Sequence, residues 1–216
     1  MSTILLNEIS EKLQRGKAKD VAALVEQALA EGVAPETILN DALVVGMNVI
    51  GDKFRENQVF VPEVLVAARA MNAGLKILKP ALAGAGVEPL GTAVICTVKG
   101  DMHDIGKNLV KMMIEGQGIA CIDLGVDVGA EVIVDTVKNH DVQLVCLSAL
   151  LTTTMHGQKD VIDALKEAGL RDKVRVMVGG APVTQAFADE IGADCYTLDA
   201  ASAAREAVRL IREMRA

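Results

Sequence analysis

The sequence predicts a chain in two parts: an all-α four-helix bundle over residues 1–88, then an α/β domain with a five-stranded parallel sheet over residues 89–216. Three observations carry this. Up to about residue 83, apolar residues recur only at helical spacing. The stretch Gly84-Ala85-Gly86-Val87-Glu88-Pro89-Leu90-Gly91 then breaks that pattern and reads as a linker. Beyond it, short β-rich runs alternate with helical ones.

In the first part Ile4, Leu5, Ile9 and Leu13 make one stripe, closed by Gly16, and Val21, Leu24, Val25, Ala28 and Leu29 a second, closed by Gly32. Pro35 suits a first helical turn, and Ile38, Leu39, Ala42, Leu43, Val49 and Ile50 form the third stripe. A fourth starts at Pro62 and passes through Leu65, Met71, Leu75 and Leu78. In the second part strands are expected at Thr92–Thr97, Ile119–Asp123, Val142–Leu147, Val174–Val178 and Ala193–Thr197. Helices are expected from Asp104 to about Gly116, Ala130–Lys138, Thr153–Ala168, after Pro182, and Ala200–Arg215. Strands joined by helices imply a parallel sheet covered on both faces, of flavodoxin-like (Rossmann-like) type.

Composition narrows the function. Apolar residues make up 51% of the 216 and aromatics only 2%, so the core must be aliphatic. A net charge of −7 leaves no basic stripe for phosphates, which argues against nucleic acid as a partner. Asn7, Glu8 and Glu11 stand where a signal peptide would be apolar, and no run reaches membrane-spanning length. The cysteines (Cys96, Cys121, Cys146, Cys195) are widely spaced, and three lie in apolar strand-like runs, as buried thiols do. A soluble cytoplasmic protein is expected, with no membrane partner.

The chemistry concentrates in Asp101-Met102-His103-Asp104-Ile105-Gly106, between the first strand and its helix. A carboxylate two residues before an imidazole can take the proton of one ring nitrogen and leave the other for a metal, while Gly106 lets something bulky approach. The other strands end in Ser148-Ala149-Leu150-Leu151-Thr152, Gly179-Gly180-Ala181-Pro182 and Tyr196-Thr197-Leu198-Asp199. Ligands bind at that edge of such sheets, and small or hydroxylic loops around one histidine describe a cleft for a large ligand with a tail. Taken singly, each has a plainer reading. His103 could be a loop histidine with a capping partner, and Gly179-Gly180 an ordinary turn. His140 and His156 read as surface residues. No phosphoacceptor aspartate, dinucleotide fingerprint, zinc cluster, nucleophile elbow or P-loop occupies these places.

Asp101-x-His103-x-x-Gly106, Ser148-x-Leu150 and Gly179-Gly180, in order, resemble the signature of cobalamin-binding domains. Gly46-Met47-Asn48-Val49-Ile50-Gly51-Asp52-Lys53-Phe54, with Val59-Phe60-Val61-Pro62-Glu63-Val64-Leu65 and Ala67-Ala68-Arg69-Ala70-Met71, resembles the helical cap of methyl-carrying corrinoid proteins. The resemblance covers nearly the whole chain. It implies His103 as the lower axial ligand of cobalt, replacing the cofactor's own base (base-off/His-on), and Asp101 as the group that orients it. It implies Met102, Asp104 and Ile105 beside them, and Gly106, Ser148, Leu150, Thr152, Gly179, Gly180 and Tyr196 around the cofactor and its displaced nucleotide tail. Phe60 would shield the methyl-carrying face. One departure is Cys195 and Thr197, where the family often has Gly and Ala around the tyrosine.

The implied cofactor is cobalamin or a related corrinoid, cycling between methylcobalamin and cob(I)alamin. The implied partners are a substrate-specific methyltransferase, a methyltransferase serving a tetrahydrofolate or thiol acceptor, and a reductive activation protein. With a cofactor site and no evident substrate site, the chain reads as a methyl shuttle, not catalytic alone. A stand-alone module like that of methionine synthase and a B12-binding sensor stay open as alternatives. An adenosylcobalamin mutase subunit would not be expected to carry this cap.

Overall fold

The computed structural model describes residues 2–215, in two compact units: residues 1–89 with 116–118, and residues 90–115 with 119–216. The first unit is helical: α1 (Ser2–Gln14), α2 (Ala18–Ala30), α3 (Pro35–Ile38), a π-helical turn (Leu39–Val44), α4 (Val45–Arg55) and α5 (Val61–Gly84). Since α3, the π turn and α4 run on without a break, these make four rods.

The third rod shows why the turn is there. Its buried residues Ile38, Ala42, Gly46 and Ile50 recur every fourth position, with Leu43, Met47 and Gly51 beside them. In an α-helix a four-residue spacing drifts about 40° per step, and a wider turn absorbs that drift. The sequence pattern predicted the rod and not the turn. Ile9, Leu13, Val21, Val25, Leu43, Met47, Met71 and Leu78 fill the interior. Gly74 on α5 lies against Leu43 and Val21, so the missing side chain lets α5 close on its neighbours.

The second unit is a five-stranded parallel sheet: β1 (Thr92–Val98), β2 (Ala120–Val128), β3 (Leu144–Ser148), β4 (Arg175–Gly179) and β5 (Cys195–Tyr196), in the order β2-β1-β3-β4-β5. That is the predicted flavodoxin-like arrangement. Helices α7 (Ala130–Asn139), α8 (His156–Glu167) and α9 (Gln185–Ile191) bury Ile133, Val161, Leu165 and Phe187 with Val94, Cys96, Val145 and Val176 of the strands. On α6 (Ile105–Glu115) and α10 (Ala200–Arg215), Leu109, Met113, Ala207 and Ile211 are buried in turn.

Two strands differ from the pattern. β2 runs on to Val128 because backbone pairing with β1 continues past Asp123, although Asp123 and Asp127 are exposed and no apolar run marks its second half. β5 shortens to two residues, as edge strands often do. All four cysteines are free thiols, and burial pushes Cys96 and Cys121 up to about 12, which leaves them inert. No helix among the described residues is long and apolar enough to cross a membrane.

Candidate functional site

In register, Thr97, Ser148 and Gly179 lie side by side at the ends of β1, β3 and β4, so the loops that follow them share one edge. The first turns at Gly100, whose φ of +81° is a conformation glycine accepts without strain. It then presents Met102, His103, Asp104, Ile105 and Gly106 as one exposed run. The run ends where α6 is tied down: buried Lys107 donates to Asp123 of β2 at 2.7 Å and to Asn108.

Asp101 is fully buried beneath that run and accepts four hydrogen bonds. Its Oδ1 takes the His103 backbone N–H at 3.0 Å and lies 2.6 Å from His103 Nδ1. Its Oδ2 takes the Leu150 N–H and the Thr154 hydroxyl, each at 2.7 Å. Burial alone would raise the carboxyl's pKa. Hydrogen bonds from Thr154, Leu150 and His103 outweigh it and hold the group well below the usual carboxylate range. The carboxylate is therefore ionised and can only accept, so His103 Nδ1 must donate. In the neutral ring, Nε2 is then left with the lone pair. The ring is half exposed, with Nε2 unpartnered among the described residues, and the Thr97 hydroxyl holds the His103 carbonyl at 2.8 Å.

The loops at this edge expose apolar side chains: Met102, Ile105, Leu150, Leu151 and Leu198. Gly106 would meet nothing within 4 Å if it carried a Cβ, and Gly179 only the Thr197 carbonyl at 3.7 Å. Gly180 is different. Its φ is +129°, and a Cβ there would stand 1.8 Å from the Ala149 carbonyl oxygen. The third and fourth loops thus press together at a point where only glycine fits.

Some expected residues come together and others do not. The Asp101–His103 pair, Gly106, Ser148, Leu150 and Gly179 share the edge, Leu150 contributing its N–H to Asp101. Thr152 is exposed in the turn beyond, and the hydroxyl that reaches Asp101 belongs to Thr154. Tyr196 pairs with Val178 and packs beside the α7–α9 core. Phe60 lies in the helical unit, exposed, its N–H bound to Glu63 at the start of α5. His140 and His156 are on the surface.

Sequence reasoning missed Thr154 and Gln158. The run Thr152-Thr153-Thr154 has no periodicity to say which hydroxyl turns inward. A turn closed by Thr154 N–H to Leu151 O decides it, and α8 starts only at His156. Gln158 is buried on α8, and its amide donates to the Leu147 and Gly179 carbonyls at 3.0 Å, tying the ends of β3 and β4. Gln158 falls on one helical stripe with Val161, Ile162 and Leu165, which was the available signal.

Acid should act through these carboxylates. Because the folded pKa of Asp101 is depressed, its contribution to stability is complete above the unfolded value, about 3.9, and is lost as pH falls towards the folded one. Asp123, depressed mainly by hydrogen bonds from Lys107 and the Gly125 N–H against the opposing effect of burial, has the same sign. Thermal melts should therefore be flat near neutrality and fall below about pH 4. An Asp101→Asn variant should show a shallower decline.

Residues 91–209 match the B12 binding domain family, and residues 5–79 match a second family also described as a B12 binding domain. The dimethylamine corrinoid protein 3 of Methanosarcina acetivorans is 44% identical over 207 residues, 96% of this chain and 97% of its own. The monomethylamine corrinoid protein 1 of that organism is 42% identical over 214 residues, 95% of this chain and 98% of its own. Among solved structures, the methanol:cobalamin methyltransferase complex MtaBC of Methanosarcina barkeri is similar with a TM-score of 0.85 and 35% identity, over 96% of this chain and 80% of that one. A cobalamin-binding protein of Desulfitobacterium hafniense is similar with a TM-score of 0.81 and 31% identity, over 95% of this chain and 98% of that one. On sequence motifs, fold and these likenesses together, the chain belongs to the B12-binding family of corrinoid proteins.

Proposed function

We propose that this protein is a corrinoid methyl carrier, passing a methyl group from a substrate-specific methyltransferase to a second methyltransferase that serves a thiol or tetrahydrofolate acceptor. The observation that carries the reading is His103, half exposed, with Nδ1 fixed by a buried carboxylate on a strand-end edge whose loops expose apolar side chains.

The residues present fit a corrinoid. A flat macrocycle with a long polar tail needs a nitrogen donor, an apolar floor and a slot without side chains. His103 Nε2 offers the first, and Met102, Ile105, Leu150, Leu151 and Leu198 the second. Gly106 and Gly179, which have room where a Cβ would sit, offer the third, with Ser148 in register beside Gly179. When bound, the corrinoid supplies a cobalt that takes up a methyl group from one partner's substrate and yields it to another's acceptor.

This chain's own part is to bind and to orient. His103 would ligate the cobalt through Nε2 in place of the cofactor's base, and Asp101 holds the ring in one tautomer. Thr154 and the Leu150 N–H in turn keep Asp101 ionised, and Gly180 holds the third and fourth loops at a constant separation. Asp104 tops α6 and accepts from Asn108. We assign the cap role to residues 1–88, with Phe60 as its exposed aromatic, and the corrinoid role to residues 89–216. A reductive activation protein is the remaining partner in this reading.

The donor class is best read as a methylamine, because the relatives named above are methylamine corrinoid proteins matching over nearly their full length. Methanol is the second reading, on the likeness to the methanol complex. To test it, the corrinoid-loaded protein is incubated with methylamine and methanol methyltransferases in turn, and demethylation of each substrate is followed. Turnover with a methylamine enzyme, abolished by His103→Ala, is expected. Turnover with the methanol enzyme alone would move the donor assignment, and none with any of them would remove the carrier role.

A further inference from the structure

Next to the Asp101–His103 pair lies a residue that the reading above does not use. Along β1 and β2, Cys96 faces Gly125 but Val98 faces Val128, so two steps on one strand oppose three on the other. The extra residue is a bulge, a device that re-aims side chains beside functional sites. Within it Asp127 has φ +55°, and Asn57 is the one other non-glycine residue with positive φ among those described. Aspartate tolerates that conformation better than most residues, yet it still costs free energy, which calls for a reason.

The reason is at hand in two hydrogen bonds. Asp127 Oδ1 accepts the Gly100 N–H at 2.7 Å, and the Asp127 N–H donates to the Asp101 carbonyl at 3.0 Å. One residue at the end of β2 therefore grips both sides of the Gly100–Asp101 peptide unit. That unit turns through the positive φ of Gly100 and sets where the Asp101 carboxylate points. On the far side, the Thr97 hydroxyl holds the His103 carbonyl. The ligand loop is clamped at both ends, and Asp127 supplies one clamp from the neighbouring strand.

We propose that Asp127 is a positioning residue for His103: its carboxylate pins the Gly100–Asp101 turn so that Asp101 meets the imidazole in the geometry ligation needs. The proposal rests on the corrinoid reading above. A mere turn residue would affect stability alone, whereas a positioning residue changes how often the bound corrinoid carries histidine.

The test compares wild type, Asp127→Gly and Asp127→Asn, each loaded with methylcobalamin, by absorbance spectrum and thermal melt. Glycine accepts the positive φ and removes only the side-chain acceptor, while asparagine keeps an acceptor oxygen in a residue that also tolerates φ above zero. For Asp127→Gly, loss of one charge-assisted hydrogen bond should lower the His-on to His-off ratio about tenfold, while glycine's ease at positive φ offsets part of the cost to the melting temperature. Asp127→Asn should retain the wild-type ratio within about twofold. A glycine variant as His-on as wild type would overturn the proposal, as would an asparagine variant that falls equally far. If wild type takes up no corrinoid, the reading of the site itself fails. If it binds with histidine on and the glycine variant matches it, only the role of Asp127 falls.

Discussion

Asp101→Ala should destabilise the fold and release His103 together. The carboxylate is buried and ionised, and it satisfies the Leu150 N–H, the Thr154 hydroxyl and both His103 donors. Alanine leaves the Leu150 N–H and both His103 donors without this acceptor, and the Thr154 hydroxyl with only the Leu151 carbonyl at 3.1 Å. A buried donor left unsatisfied costs about 1–3 kcal/mol, and more than one loses its partner here, so a fall of about 3 kcal/mol in unfolding free energy is expected. It should appear as a lower denaturant midpoint at unchanged slope. Asp101→Asn keeps one carbonyl but turns an amide against donors, and should fall between alanine and wild type. Stabilities within about 1 kcal/mol of wild type for both variants would show that this carboxylate does not hold the loops.

The two neighbouring glycines should separate fold from site. At Gly180 a methyl group would lie 1.8 Å from the Ala149 carbonyl oxygen, a backbone atom, at a φ of +129°. No side chain can swing aside, so one loop must move. Gly180→Ala is expected to cost about 3 kcal/mol or more, visible in thermal melts. At Gly179 the nearest atom to an added Cβ is 3.7 Å away, an ordinary contact. Gly179→Ala should leave the melt within about 1 kcal/mol of wild type and weaken corrinoid uptake by filling the slot. Equal stability for the two variants would contradict the close loop contact. Unchanged uptake in Gly179→Ala would remove that glycine from the slot.

The parts of this structure legible in the sequence are those whose signal is local or periodic. Asp101, His103 and Gly106 lie within six residues of one another, and Ser148 and Gly179 could be placed because apolar β runs end at them. What escaped depends on how a turn folds or on pairing with another strand. Thr154 is one of three consecutive threonines, and only the turn at Leu151 points it to Asp101. Asp127 sits beyond the apolar start of β2, where an edge strand continues by backbone pairing with a bulge that no side-chain pattern announces. The π turn at Leu39–Val44 is similar: a four-residue recurrence of apolar positions was visible, but its consequence for the helix needed the packed rod to see.

Whether His103 ligates a corrinoid can be decided by one absorbance comparison. Wild type and His103→Ala are each loaded with methylcobalamin, and bound corrinoid is measured against protein. Wild type should take up corrinoid stoichiometrically with a base-off, histidine-on spectrum, and the variant should lose the histidine-on features. A wild-type protein that takes up no corrinoid, or a variant whose spectrum matches wild type, would contradict ligation by His103.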